Sequence, residues 1–359
     1  MRFLFFVQGE GRGHMTQAIS LSEMLRKSGH EVTKVLIGKS QQRDIPKFFY
    51  EKIGAPVDSY ESPNFVTGSD HKKIMIGKTI IYNFLKIRTY VRSLKKIHAI
   101  VKEERPDVIV NFYELMTGLY HLVYHPKSKH ICIGHQYLLL HPQFQFPIGW
   151  KIDNFLLRMN TRIVSQRAVR FLALSFRPMD DVESKKIFVV PPLLRPEVLS
   201  LTNEDHGFIL GYVLNAGYAD EIIAWHKQNQ HVKAHFFWDK RDAPEEYVAE
   251  ENLVFHRLND TLFLEMMSKC SGYSSTAGFE SICEAMYLGK PIMMVPTENH
   301  YEQACNALDA SISGAGFKND TFDLSALVNY IPRHHDIRDQ FRSWVKLSEV
   351  KFLDLLTRN

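Results

Sequence analysis

The sequence predicts an α/β chain of two domains, each built on a parallel sheet with flanking helices. Short apolar runs alternate with helix-period runs along the whole chain, the pattern of strand, crossover helix, strand. Its 359 residues exceed the usual size of one hydrophobic core. A proline-rich segment also divides the strand-like runs into two series.

In the first series Phe3–Val7, Glu31–Ile37, Val108–Asn111, His130–Ile133 and Phe171–Leu174 are short apolar runs of strand length. Val189-Val190-Pro191-Pro192-Leu193-Leu194-Arg195-Pro196 follows, and its prolines remove N–H donors and stiffen an extended connector. The boundary falls there, with 1–190 as the first domain, 191–196 as the linker and 197–335 as the second domain. Phe208–Val213, Ala234–Trp238, Leu253–Phe255, Gly272–Ser274 and Ile292–Val295 repeat the rhythm. The closing stretch, 336–359, carries Phe341, Trp344, Val345, Leu347, Phe352 and Leu355 at helical spacing and is expected as one helix.

Composition narrows the function classes. A hydrophobic content of 45% is that of a globular protein, and a net charge of +4 is modest. The four cysteines form no CxxC pair and no disulfide framework, so a reducing cytosol is expected. Phe3–Val7 is too short for a signal-peptide core and no run approaches a membrane span, so the expected chain is cytoplasmic, neither exported nor integral.

The segment from Cys270 to Ala307 carries the chemistry. Ser274, Ser275, Thr276, Ala277 and Gly278 form a small-residue loop before a helical stretch, Phe279 to Leu288, whose free N–H groups and positive end can seat a phosphate. Glu284 lies six residues past Gly278 with its side chain leaning back toward the N-terminus, within reach of a ribose hydroxyl. Gly289-Lys290-Pro291 stops the helix, and Pro296 opens a polar loop that leads to Glu302 and Gln303, which can hold sugar hydroxyls.

This order of small-x-Gly, Glu284-Ala285, Gly289-x-Pro291, Pro296, Glu302-Gln303 and Asn306-Ala307 resembles the donor site of GT-B glycosyltransferases. UDP-glycosyltransferases and the bacterial lipid-linked N-acetylglucosaminyltransferase of peptidoglycan synthesis are similar. The resemblance implies two Rossmann-like domains facing across a cleft, with the last helix crossing back onto the first domain. It implies a nucleotide diphosphate sugar as co-substrate, UDP being the expected nucleotide, and no cofactor. The helix N-terminus with Ser275, Thr276, Ala277 and Gly278 would hold the diphosphate, Glu284 the ribose, and Glu302 with Gln303 the donor sugar.

At the other end, Gly9-Glu10-Gly11-Arg12-Gly13-His14 follows a buried strand, ahead of a helix expected from near Thr16. Its third glycine is one residue too early for a dinucleotide fingerprint, and the second strand ends Leu36-Ile37-Gly38-Lys39 without the acid such a site needs. The loop is similar instead to the N-terminal turn of the same glycosyltransferases, where Gly11 and Gly13 would face the donor. By that resemblance His14 is the general base; imidazole titrates near working pH and suits the task. A histidine that merely caps the turn or touches a phosphate satisfies the same position. Glu114, at a strand end, is the candidate carboxylate to orient His14, against a helix-start glutamate that complements the dipole. Glu10 and Gly134-His135-Gln136 are further strand-end polar groups, where open sheets place ligands.

The second domain opens on Gly211-Tyr212-Val213-Leu214-Asn215-Ala216-Gly217, less glycine-rich than the turn of the relatives; Asn215 is the candidate phosphate contact there. By the same resemblance Leu258, in Arg257-Leu258-Asn259-Asp260, is the candidate for the nucleotide base. No Asp-x-Asp pair or histidine spacing marks a metal site, so none is expected. The reaction the resemblance implies is inverting, metal-independent sugar transfer to a hydroxyl acceptor. A nucleotide-sugar 2-epimerase of the same fold, and a nucleotide-sugar-binding protein without turnover, are the alternatives.

From His71 to Lys102 there is no acidic residue, while Lys72, Lys73, Lys78, Lys86, Arg88, Arg92, Lys95, Lys96 and Lys102 accumulate. Ile80, Phe84, Ile87, Val91, Leu94, Ile97 and Val101 recur on one helical face. A basic amphipathic helix over 72–102 can lie on anionic lipid at the inner face of the membrane, which would suit a lipid-linked acceptor; the same stripe also serves a helix packed on its sheet. No nucleic-acid recognition module is present.

Overall fold

The computed structural model describes residues 1–40, 44–63, 76–213, 216–240 and 243–358, with the backbone alone for 76–80 and 216. Two seven-stranded sheets are present, one in each half of the chain. The first contains β1 (Arg2–Gln8), β2 (Glu31–Lys39), β3 (Val57–Glu61), β4 (Val108–Phe112), β5 (Lys129–Gly134), β6 (Arg170–Leu174) and β7 (Ile187–Val190). Their order is β3-β2-β1-β4-β5-β6-β7, all parallel.

The second contains β8 (Phe208–Val213), β9 (Lys233–Trp238), β10 (Glu246–Glu250), β11 (Leu253–Arg257), β12 (Gly272–Ser275), β13 (Ile292–Met294) and β14 (Gly316–Lys318). The order is β10-β11-β9-β8-β12-β13-β14, with only β10 antiparallel. In each sheet the chain reverses direction of travel beside its first strand, β1 or β8, and open α/β sheets bind ligands at the carboxyl ends of such strands.

The buried central strands, whose side chains are apolar on both faces, match the sequence reading: Phe3 to Val7 and Val108 to Val110 are fully buried. Four strands were not anticipated. β3 (VDSYE) and β10 (EYVAE) are edge strands with mixed polar residues, β14 has only three residues, and β7 runs straight into the prolines. Val189 and Val190, at the end of the expected first domain, close the first sheet.

Two expected single helices are broken. The basic stretch forms Ile76–Leu85 and Ile87–Glu104, separated at Lys86, whose ammonium pairs with Glu61. The tail forms Arg338–Val345 and Ser348–Thr357. This tail lies against the first sheet: Trp344 Nε1 donates to the Ser175 carbonyl (3.0 Å), Lys351 Nζ to that of Val189 (3.1 Å), and Arg170 Nη1 to that of Leu355 (3.0 Å). Among the described residues no helix is long and apolar enough to cross a membrane.

Candidate active site

A cleft of about 320 Å³ opens where the carboxyl ends of the two sheets face each other. From the first lobe it is lined by the turn after β1 and by the end of β5. Gly9 is required where the turn crosses β2: a Cβ there would sit 2.8 Å from Ile37 Cγ2. At Gly13 a Cβ would lie 3.2 Å from Cγ of Glu280, so glycine lets the lobes approach at this point. The helix begins at Arg12, earlier than the expected Thr16.

His14 is buried in the cleft wall, its ring stacked on Tyr113 at 6.0 Å. Gln17 Nε2 donates to Glu280 Oε1 (2.5 Å), so the Gln17 oxygen must face the imidazole. His14 Nδ1–H then donates to Gln17 Oε1 (3.2 Å), leaving Nε2 as the acceptor, 3.5 Å from the Gln136 amide nitrogen. That same nitrogen donates to Glu302 Oε1 (3.0 Å). Burial lowers the His14 pKa, opposed by the Gln17 bond and the Glu302 charge, so the imidazole is neutral and able to accept a proton.

The carboxylate expected to orient His14 does not do so. Glu114 is buried away from the cleft, where its Oε1 accepts from Ser62 Oγ (2.7 Å) and from the backbone N–H of Met116 (3.1 Å), capping the Leu115–Tyr124 helix. A strand-end acid that starts a helix has a nearer partner in the free N–H groups of that helix than in a side chain across the turn. Tyr113, held at φ 58°, and Gln17 take the place expected of it.

In the second lobe, β12 leads through Thr276, Ala277 and Gly278 into the Phe279–Tyr287 helix, whose first N–H groups have no side-chain cap. Asn306 Nδ2 donates to the Ala277 carbonyl (3.1 Å) and pins this loop, with Ala277 at φ 59°. Thr276 and Gly278 line the cleft. Ser275 and Ala277 are fully buried and do not line the cleft, whereas Ser281 and Glu280 of the first helical turn do. Glu280 is pushed up to about 8 by withdrawal from water, against the Gln17 bond, with Glu284 raising it and Arg195 lowering it.

Glu284 lines the cleft at 2% exposure, gripped by Arg195 of the connector through Nε (2.6 Å) and Nη2 (2.7 Å). Gly11, Gly13, His14, Leu258, Glu302 and Gln303 also line it. Gln303 is held by its own helix start: its N–H donates to His300 Nδ1 (3.3 Å), and its Oε1 accepts from the Thr297 N–H (2.7 Å). Asn215 lies outside the described residues, and Glu10 instead accepts from the Ser40 N–H at 2.7 Å. Sequence reasoning missed Arg12, Arg195, Asp260 and Glu280. Arg12 Nη1 bonds Asp260 Oδ1 (3.1 Å) across the cleft, a contact between residues 248 positions apart that leaves no local signal.

The model of glycosyl transferase family 1 matches residues 1–333. An uncharacterized glycosyltransferase of Methanosarcina acetivorans is 23% identical over 98% of this chain and 92% of its own length. The fold is similar to that of a Phytolacca americana UGT2 complexed with UDP-2fluoro-glucose and pterostilbene (TM-score 0.64, 11% identity, 97% of this chain and 94% of that one). It is similar also to the glycotransferase of kitacinnamycin (0.63, 17%, 99% and 97%) and to Acinetobacter baumannii MurG (0.55, 13%, 99% of each chain). With the two parallel sheets, the facing lobes and a match over most of its length, the chain belongs to glycosyl transferase family 1 and is a GT-B glycosyltransferase.

Proposed function

We propose that the protein transfers a sugar from a nucleotide diphosphate sugar, with UDP as nucleotide, to a hydroxyl acceptor with inversion and without a metal. One observation carries this reading: a proton acceptor of the first lobe, His14 Nε2, and the Glu302 carboxylate of the second share one bridging amide, Gln136. A base and a sugar-holding acid thus stand on opposite walls of one cleft.

In this reading the diphosphate sits on the free N–H groups that open the Phe279–Tyr287 helix, with Thr276, Gly278 and Ser281 around it. Glu284 takes the ribose, Leu258 touches the base, and Glu302 with Gln303 holds the sugar. His14 Nε2 removes the acceptor's hydroxyl proton while that oxygen bonds to the anomeric carbon. The bond from that carbon to the diphosphate oxygen breaks, and the nucleoside diphosphate leaves with the electron pair, stabilised by the helix terminus. Attack from the face opposite the leaving group inverts the configuration.

The acceptor is proposed to be lipid-linked. On either side of Lys86 the two helices expose Phe84 (71%), Leu85 (76%), Ile87 and Val91 beside Arg88, Arg92 and Lys95, an apolar surface with a cationic rim suited to anionic lipid. Lys72 and Lys73 lie outside the described residues. In the second of these helices Ile97, Ile100 and Val101 are buried against the sheet, so its apolar residues serve packing at one end and exposure at the other.

A thermal-shift panel of nucleoside diphosphates and their sugars tests the donor. UDP raising the midpoint more than GDP or dTDP supports the reading, and no rise with any nucleotide overturns it. Retention of the donor's anomeric configuration in the product would sink the inverting mechanism.

A further inference from the structure

We infer that Arg195, in the connector between the sheets, is the positioning residue that aims Glu284 at the ribose diol and so makes the site select ribonucleotides over 2′-deoxyribonucleotides. The inference rests on the proposed donor reading. Glu284 is the acid at the inner wall of the cleft, and alone it would be a charge withdrawn from water at high cost. Arg195 meets it fork to fork: Nε to Oε1 at 2.6 Å and Nη2 to Oε2 at 2.7 Å. Two parallel bonds fix the plane of the carboxylate as well as its charge.

The grip leaves each carboxylate oxygen with acceptor capacity. Two coplanar oxygens that can each accept one more hydrogen bond match a vicinal diol, which offers two O–H donors side by side. A 2′-deoxyribose offers only one, leaving the second oxygen with Arg195 alone and its remaining acceptor site unfilled. Arg195 is itself held: its Nη1 lies 3.8 Å from Asp260 Oδ1, and Asp260 is bonded by Arg12 of the first lobe. The carboxylate that meets the ribose is therefore oriented by the connector, which is tied in turn to the opposite wall. Lysine at 195 would keep the charge and lose the plane.

The test compares UDP with 2′-deoxy-UDP by calorimetry on the intact protein, for wild type, Arg195→Lys, Glu284→Gln and the double variant. Wild type is expected to prefer UDP by about tenfold, the worth of one hydrogen bond to a charged group. In Arg195→Lys the preference should shrink to about twofold or less, chiefly by weaker UDP binding; Glu284→Gln should do the same, and the double variant should be no worse than Glu284→Gln. Equal weakening of both nucleotides in Arg195→Lys, with the preference intact, overturns the inference, as does a wild type that binds both alike. Binding of neither by wild type overturns the donor reading itself. Should Arg195→Lys lose its folded thermal transition, Arg195→Gln is measured in its place, and a UDP preference left intact there overturns the inference.

Discussion

Gln17 of the first lobe donates through Nε2 to Glu280 Oε1 of the second at 2.5 Å, placing an acid of the first turn of the Phe279–Tyr287 helix against the histidine loop. This contact closes a chain that runs Glu280, Gln17, His14, Gln136, Glu302 and crosses the cleft twice. An acid at an anion seat must be neutral, or be moved, when a diphosphate arrives.

Glu280 therefore ties donor affinity to pH. Its carboxyl, raised to about 8, is protonated at neutral pH and becomes an anion as pH rises through that value, facing Glu284 as a second acid and Arg195 as a cation. UDP affinity measured by calorimetry should weaken by about tenfold from pH 7 to 9. Glu280→Gln, which cannot ionise, should hold its affinity over this range; a parallel decline in the variant would refute the assignment.

His14→Ala should reduce kcat by about a hundredfold or more while UDP binding changes little, because general-base loss acts on the transfer step. In the proposed reaction neutral His14 is the active form, and burial lowers its pKa, so the acid limb of the wild-type pH–rate profile should lie below 6.5. An acid limb above that value contradicts the assignment.

Glu114 makes a stability prediction separate from catalysis. Burial pushes it up to about 7, opposed by its bonds from Ser62 and Met116. The folded state thus holds a proton that the unfolded state releases near 4.5, so this contribution is complete below 4.5 and is lost as pH rises through about 7. Glu114→Gln keeps the accepting oxygen and should melt with a midpoint that varies less between pH 5 and 8. Steady-state transfer should persist in this variant.

Phe84 and Leu85 test the lipid surface. Both are largely exposed, so changing each to Ser should leave the melting midpoint in place. Inserting each side chain into lipid would contribute about 2 kcal/mol, and the double variant should co-sediment with anionic vesicles at least about tenfold less well. Equal sedimentation of the double variant and wild type removes this surface from the membrane reading.

Much of this molecule was legible before folding. Buried parallel strands such as Phe3 to Val7 show themselves because both faces are apolar, whereas edge strands such as Val57–Glu61 need only one buried face and carry polar residues that mimic a loop. The Phe279–Tyr287 helix with its uncapped start, and the placing of Glu284, Glu302 and Gln303 on one wall, follow from spacing along a single supersecondary unit.

Which polar groups meet across the cleft was a different matter. Glu114 and His14 both stand beyond strand ends, and local sequence does not distinguish an acid that caps its own helix from one that reaches a neighbour. Arg195 on Glu284, Arg12 on Asp260 and Gln17 on Glu280 join residues 89, 248 and 263 positions apart. The chain by itself determined two mostly parallel sheets and a helix opened by a small-residue loop, because periodicity and loop chemistry act over a few residues. Only the packing of one lobe on the other decided the partners of its charges, because a hydrogen bond depends on where side chains meet in space.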